Sequence, residues 1–295
     1  MAACRACETT VSMNCSIIIP TLNEEHYIGD LLNCLVKQVS ATVEVLIVDA
    51  GSEDKTAEVV SKVIALNPHV RLRFLVADKR GVSAQRNLGA RLAESERLLF
   101  LDADVQVKPN FLEATLRELD KRGLELATCQ FEPMSTRVDD KMLYAMASIY
   151  IATLQYIEPV SMGWCIFSTK IVHNAIGGFD EKMKFGEDYD YVVKAKRAGY
   201  KLKVLQNGKV YISVRRLNAE GRLNYYKKAV FAEIYRHFNG KIDKELFPYE
   251  FGNFQKDVEA KRYEKQEEMW NKIIASLKLD RAKLRARELK KIFEE

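Results

Sequence analysis

Asp102 and Asp104 stand two residues apart directly after the apolar run Leu98-Leu99-Phe100-Leu101. Side chains alternate along an extended chain, so the two carboxylates are expected to point the same way. The carboxyl end of a buried strand is where an open α/β sheet receives its ligand. Two hard anionic oxygens at such a place suit Mg²⁺ or Mn²⁺, which keeps waters and takes its other ligands from a phosphate. A D-x-D tripeptide is by itself a polar turn as often as a site. Its position after four apolar residues, and the polar clusters that end the neighbouring strands, lift this one.

Those strands are legible from composition. Cys15 to Ile19 is a β-branched run expected to stop at Pro20, and Val43 to Val48 ends at Asp49. Arg71 to Val76 is a third strand, and the run into Asp102 a fourth. Between them lie helical stretches. Ile28, Leu31, Leu32 and Leu35 recur at helical spacing, with Thr21 or Asn23 as the expected cap. A second helix runs through Val63 with Ser52 or Asp54 as cap, and a third runs from Gly81 through Ala93. Four strand–helix units predict a mostly parallel, Rossmann-like sheet with right-handed crossovers. Thr21/Asn23, Asp49 and Asp102/Asp104 then converge on one sheet edge. Further on, a helix is expected from Pro109 to Asp120, a strand over 124–131, an uncharged helix over 142–157 and a strand over 163–168. A turn at Gly177–Asp180 and a helix after Glu187-Asp188 follow, with Asp188 or Asp190 as its cap, and then two strands, 201–204 and 210–214.

Composition bounds the partners. The chain has 295 residues, 46 basic and 41 acidic, a balance too even for a nucleic-acid binder, and no DNA- or RNA-binding motif is present. The charge is uneven, however: Lys194 to Lys241 holds 13 Lys/Arg against Glu220 and Glu233. Within it, 222–238 carries Leu223, Tyr226, Val230, Ile234 and Phe238 on one face beside basic residues, a pattern that suits a membrane surface or packing on the domain. The uncharged run 142–157 is 16 residues, short of a spanning helix, and reads as buried or interfacial. Cys4 and Cys7 form a single C-x-x-C without a second pair at zinc spacing, and are read as part of a disordered tail, 1–14. The other cysteines are expected to be reduced thiols. No signal peptide is evident, so the expected location is cytoplasmic, peripheral on the cytoplasmic membrane face.

Six stretches in this order resemble the inverting family 2 glycosyltransferases of the GT-A fold: Ser16–Glu25 (SIIIPTLNEE), Ile47–Ser52 (IVDAGS), Gly81–Gly89 (GVSAQRNLG), the D-x-D, Gly177–Asp180 (GGFD) and Gly186–Asp188 (GED). The resemblance implies a GT-A catalytic domain over 15–216, with a nucleotide-sugar half at 15–108, an acceptor half at 109–216 and a basic, amphipathic helical extension at 217–295. It implies a nucleotide-diphosphate sugar as donor. Pro20, Thr21, Asn23, Glu24 and Ser52 would line the nucleoside pocket, and Asp49 would hydrogen-bond the base. Arg86 and Asn87 would sit near the nucleotide or sugar. Asp102 would meet ribose and metal, and Asp104 would bind the metal. Asp188 takes the position of the family's acceptor-side base, with Glu187 orienting it or touching the acceptor; a hydroxyl acceptor must lose its proton as it attacks.

One departure stands out. Many family members carry a metal-binding His on a late strand, and Tyr211–Arg216 (YISVRR) has none. Gln106 could close that gap, because D-A-D-x-Q resembles the metal site of polyprenyl-phosphate sugar synthases. Arg215 and Arg216 could clamp phosphate oxygens in bidentate fashion. The leading expectation is a metal-dependent glycosyltransferase acting on a hydroxyl of a glycan or lipid-linked acceptor. A polyprenyl-phosphate glycosyl synthase and a catalytically silent sugar-nucleotide or membrane-surface binding module are the alternatives.

Overall fold

The structure, a computed structural model, describes residues 14–39, 42–154, 163–183, 186–222, 224, 225, 227 and 228. The expected tail at 1–14, apart from residue 14, most of the 222–238 helix and the 254–295 segment therefore lie outside the described residues.

The first half alternates strand and helix as the sequence requires. β1 (Cys15–Thr21), β2 (Val43–Asp49), β3 (Arg71–Val76) and β4 (Arg97–Leu101) are separated by α1 (Ile28–Leu35), α2 (Thr56–Leu66) and α3 (Val82–Leu92). These four strands pair in parallel, in the order β3-β2-β1-β4. Both faces of β1 and β2 are covered, and every residue of the two strands is buried, which is why they read as continuous apolar runs rather than alternating ones. Ile17, Ile19, Val45 and Ile47 pack with α1, whereas Ile18, Leu46 and Val48 pack on the opposite face with Phe100 and Ala90. Strand order leaves β1 toward β2 on one side and toward β4 on the other, so the crevice at the carboxyl ends of β1 and β4 is a switch point.

Pro20 does not stop β1. The Thr21 carbonyl accepts from Ala50 on the β2 side, so Pro20 faces β4, where the ladder has already ended at Ile18–Phe100. The missing N–H therefore breaks no strand bond.

The second half is mixed. β5 (Val105–Val107), α4 (Phe111–Arg122), β6 (Ala127–Pro133), α5 (Val138–Leu154), β7 (Cys165–Thr169), α6 (Lys170–Ala175), α7 (Glu187–Arg197), β8 (Lys203–Ile212) and α8 (Arg215–Glu220) complete the described elements. β7 runs antiparallel to both β4 and β6, and β8 is parallel to β6 but antiparallel to β5. β5 is an addition to the expected elements. β8 replaces two expected strands with one, because the Glu118 carboxylate on α4 accepts from the Gln206 and Asn207 amides at 3.0 and 2.8 Å and satisfies the polar bend inside the strand.

Candidate active site

The carboxyl ends of β1 and β2 form a cradle built from their own hydrogen bonds. One Asp49 oxygen accepts from the Gly51 and Ser52 amides at 2.9 and 2.8 Å, and the other accepts from the Thr21 and Ser52 hydroxyls at 3.1 and 2.5 Å. Asn23 sits in the left-handed region at φ 56°, its amide donating to the Ser52 hydroxyl and its side-chain oxygen accepting from Glu53 N. Thr21 and Asn23 thus do not cap α1, nor does Ser52 cap α2. Tyr27 and Lys55 occupy those cap positions without a side-chain bond. The three polar side chains instead tie the β1 and β2 loops to each other. Gln85 on α3 donates to the Thr21 and Val48 carbonyls at 2.8 and 2.6 Å, pinning both strand ends.

The D-x-D lies one step across the crevice. Asp102, Asp104 and Gln106 are half-buried while Ala103, Val105 and Val107 are buried; a turn lies at 103–104, and Asp102 and Asp104 interact electrostatically. Glu24 stands against it. Arg215, the first residue of α8, makes a bidentate pair with Glu24 at 2.7 and 2.7 Å, and its Nε lies 3.1 Å from Asp104. The Arg215 guanidinium also lies 4.8 Å from the centre of the Tyr27 ring. Burial pushes the Glu24 carboxyl up to about 7 despite Arg215, and Asp104 and Asp102 add to that rise. The Asp102 carboxyl is pushed up to about 6 by burial, Arg86 opposing.

Arg86 joins this cluster to the start of α7. It is 1% exposed, donates to Asp102 at 2.7 Å and to Glu187 at 3.0 Å, and also reaches the Gly163 carbonyl at 3.0 Å. A side chain on Gly163 would meet the guanidinium at 2.8 Å, so the guanidinium would have to shift to admit one. The Phe179 ring stacks beneath the guanidinium at 5.1 Å. Asn87, next to Arg86 on α3, exchanges bonds with the Phe179 N–H and carbonyl at 2.9 Å each, fixing the turn that carries that ring. Gly178 in that turn has φ 69°, and a Cβ there would lie 2.7 Å from the Asn87 oxygen.

Glu187 and Asp188 open α7 behind Gly186 at φ 76°, where a helix N-terminus favours carboxylates. Gly186 is the cap residue, and neither Asp188 nor Asp190 is. Asp190 is buried within the helix and pairs with Lys194 at 3.0 Å. Burial pushes the Asp188 carboxyl up to about 7, with Glu187 adding to the rise and Arg86 opposing it. A carboxylate poised near neutrality is matched to taking a proton.

Glu24, Asp102, Asp104, Glu187 and Asp188 interact electrostatically as one cluster, opposed by Arg86 and Arg215. Five carboxylates against two arginines leave an anionic excess of hard oxygens, the donor chemistry of Mg²⁺ or Mn²⁺. Among the described residues no three acidic, thiol or imidazole groups converge as a ready-made cage. The Asp102 and Asp104 carboxylates fit a cation that completes its shell with phosphate and water. Arg216 follows Arg215 but acts on Tyr225 of the next helical stretch.

The structure thus brings together Glu24, Arg86, Asp102, Asp104, Glu187, Asp188 and Arg215. Thr21, Asn23, Asp49 and Ser52 form the adjoining cradle, beside Pro20 at the end of β1. Arg86 turns onto the Asp102 and Glu187 carboxylates and Asn87 onto the Gly177–Asp180 turn. Gln85 is the functional-site residue missed, although it stands within the GVSAQRNLG stretch.

Comparison with known proteins places these features in context. The sequence model of Glycosyl transferase family 2 matches residues 16–173. The uncharacterized glycosyltransferase EpsJ of Bacillus subtilis is 23% identical over 241 residues, 77% of this chain and 68% of its own length. The poly(ribitol-phosphate) beta-N-acetylglucosaminyltransferase TarS of Staphylococcus aureus is 25% identical over 231 residues, 76% of this chain. This chain spans only 39% of the length of TarS. Among solved structures, TarS 1-349 in complex with UDP-GlcNAc superposes with a TM-score of 0.54 at 22% identity, covering 68% of this chain and 58% of that one. The mannosyltransferase PcManGT from Pyrobaculum calidifontis, in complex with GDP-Man and Mn²⁺, gives 0.58 at 20% identity, covering 74% and 64%. These structural likenesses show the fold.

Proposed function

The chain belongs to glycosyl transferase family 2 and has its GT-A fold, and from that premise we propose that it is a metal-dependent inverting glycosyltransferase. It moves a sugar from a nucleotide-diphosphate sugar to a hydroxyl of a glycan or lipid-linked acceptor. The observation that carries this reading is the single cluster of Asp102, Asp104, Glu187 and Asp188, linked by the buried Arg86 and flanked by Glu24–Arg215.

In this reading residues 15–108 hold the donor and 109–216 the acceptor, with 217–295 an extension beyond the catalytic domain. Pro20, Thr21, Asn23, Glu24, Asp49 and Ser52 surround the nucleoside, whose ring N–H and ribose hydroxyls are donors for carboxylate and amide oxygens. Asp102, Asp104 and Gln106 would hold the divalent cation, which would neutralise charge on the departing diphosphate. Arg215 leaves Glu24 for the diphosphate oxygens, with Arg216 beside it. Asp188 takes the acceptor hydroxyl proton while the hydroxyl oxygen bonds to the anomeric carbon. The bond from that carbon to the diphosphate breaks, the electron pair leaves with the diphosphate, and configuration inverts. Glu187 and Arg86 position Asp188. Membrane-surface contact through 222–238 and a cytoplasmic location belong to the same reading.

A polyprenyl-phosphate glycosyl synthase is the second reading, favoured by Gln106 two residues after the D-x-D. Its acceptor is already an anion, so Asp188→Asn would leave its turnover intact.

The test is a thermal-shift and turnover screen of nucleotide sugars with Mn²⁺ or Mg²⁺, beginning with UDP-GlcNAc and GDP-Man. A donor-specific rise in melting temperature that needs metal and vanishes in Asp104→Ala is expected, and the rise grows as the logarithm of donor concentration. No shift with any nucleotide sugar would overturn the donor site. An equal shift in Asp104→Ala would remove the metal from it. Binding without hydrolysis or transfer of any donor would point to a silent binding module.

A further inference from the structure

A strand ladder delivers Arg215 to the D-x-D. β5, directly after Asp104, pairs antiparallel with the end of β8, Val105 opposite Ile212 and Gln106 opposite Tyr211. The Ser213 N–H then donates to the Asp104 carbonyl at 3.2 Å, and two residues later Arg215 opens α8. The backbone is held on the far side too: Leu217 is buried, and Arg222, just beyond α8, pairs with the buried Asp140 at 2.8 Å. The guanidinium itself has three neighbours. It donates to both Glu24 oxygens at 2.7 Å, places Nε 3.1 Å from an Asp104 oxygen and lies over the Tyr27 ring. The Arg215 side chain is 15% exposed, so salt screens these contacts little.

A guanidinium against Asp104 supplies the same carboxylate with the positive charge that a divalent cation would supply. Like charges within a few ångströms repel, and they do so more strongly where water is excluded. We propose that Arg215 competes with the divalent cation for Asp104, and gives way when the donor's diphosphate draws its guanidinium off. The diphosphate is suited to that exchange, because its oxygens accept from a guanidinium in the same bidentate manner as the Glu24 carboxylate. Only the Arg215 side chain has to turn, since the Ser213 and Arg222 contacts hold the backbone on either side of it. Cation and donor then load together, and the chain binds metal weakly without a nucleotide sugar. The inference rests on the metal site of the proposed function and adds what governs its filling.

The experiment is titration of the full chain with Mn²⁺ in the absence of nucleotide, followed by the electron paramagnetic resonance signal of free Mn²⁺. Arg215→Ala is expected to bind Mn²⁺ roughly tenfold or more tightly than the wild type, and so is Arg215→Gln, whose amide can still donate to Glu24 if the smaller side chain fails to fold. Lys62→Gln removes the same charge from an exposed position on α2 and binds Mn²⁺ as the wild type does. In Arg215→Ala, added methylguanidinium displaces the Mn²⁺ again while sodium chloride at equal ionic strength does not, which ties the effect to the guanidinium's place. Equal Mn²⁺ affinity in the wild type and both Arg215 variants would overturn the proposal and leave the metal site standing, with Arg215 a structural pair. Methylguanidinium acting no differently from salt would overturn it as well. Failure of all three proteins to bind Mn²⁺, with or without UDP-GlcNAc or GDP-Man, would overturn the metal site itself and the proposal with it.

Discussion

The two sides of the crevice solve opposite problems. At the β1 and β2 ends, polar side chains are satisfied by their own loops: Asp49 accepts four hydrogen bonds from Thr21, Gly51 and Ser52, and Gln85 locks two strand carbonyls. Nothing there is short of a partner, and the shape exists before any ligand arrives. At the β4 and α7 ends, five carboxylates crowd around two arginines, and burial raises Glu24, Asp102 and Asp188 toward neutrality. A preformed cradle suits recognition, because little ordering entropy remains to be lost on binding. A crowded anionic centre suits chemistry, because its charges are compensated only when a cationic or proton-bearing ligand is present.

Removing the base should break the comparison most sharply. Asp188→Asn is expected to slow transfer by about 10²–10⁴-fold while leaving donor affinity unchanged, as read by pre-steady-state transfer and donor titration; a matching loss of affinity would merge the two sides. Arg86→Met should come next. It strands Asp102 and Glu187 beside each other, and urea melts should show a loss of about 3–5 kcal/mol, the usual cost of breaking a buried ion pair.

His173 tests the packing behind the centre. It lies among Phe100, Phe179 and Tyr191, and burial, with Lys194 adding, holds its imidazole down to about 4. The unfolded chain binds this proton first. The contribution to stability is therefore full above pH 6.5 and falls as pH drops toward 4, by about 3 kcal/mol in all at 1.36 kcal/mol per unit. Stability measured across that window should lose this acid limb in His173→Gln. The smallest effect is expected in the cradle: Gln85→Ala removes one donor each from the Thr21 and Val48 carbonyls, which keep the Ala50 N–H and the Thr21 hydroxyl, and should cost about 0.5–1.5 kcal/mol, with donor affinity falling and the rate of transfer from bound donor unchanged.

Three strands of the first half, β1, β2 and β4, were legible because each is buried and so reads as an apolar run closed by a polar residue, whereas the edge strand β3 is half exposed and ends at Val76. The second half was less so. β5 is three residues directly behind the D-x-D, too short to show a pattern, and Gln206-Asn207-Gly208 looks like a turn until Glu118, 88 residues earlier, supplies its hydrogen bonds. The antiparallel direction of β7 has no local signature. The candidate site was legible by residue type: Asp102, Asp104, Glu187 and Asp188 do lie in one place. Its wiring was not, because Arg86 meets Glu187 across 101 positions and Arg215 meets Glu24 across 191. The same distance hid the inward turn of Asn87 onto Phe179.

The most direct test of the crowded centre is the pH dependence of kcat/KM for transfer, which reports the ionisation of essential groups in the free enzyme. With Asp188 raised by burial to about 7, the profile should climb about tenfold per unit below that pH and level off above it. The residual activity of Asp188→Asn should lack that limb. A wild-type profile that is flat between about pH 5 and 8, or an identical limb in the variant, would contradict the assignment of the base and with it the role given to this side of the crevice.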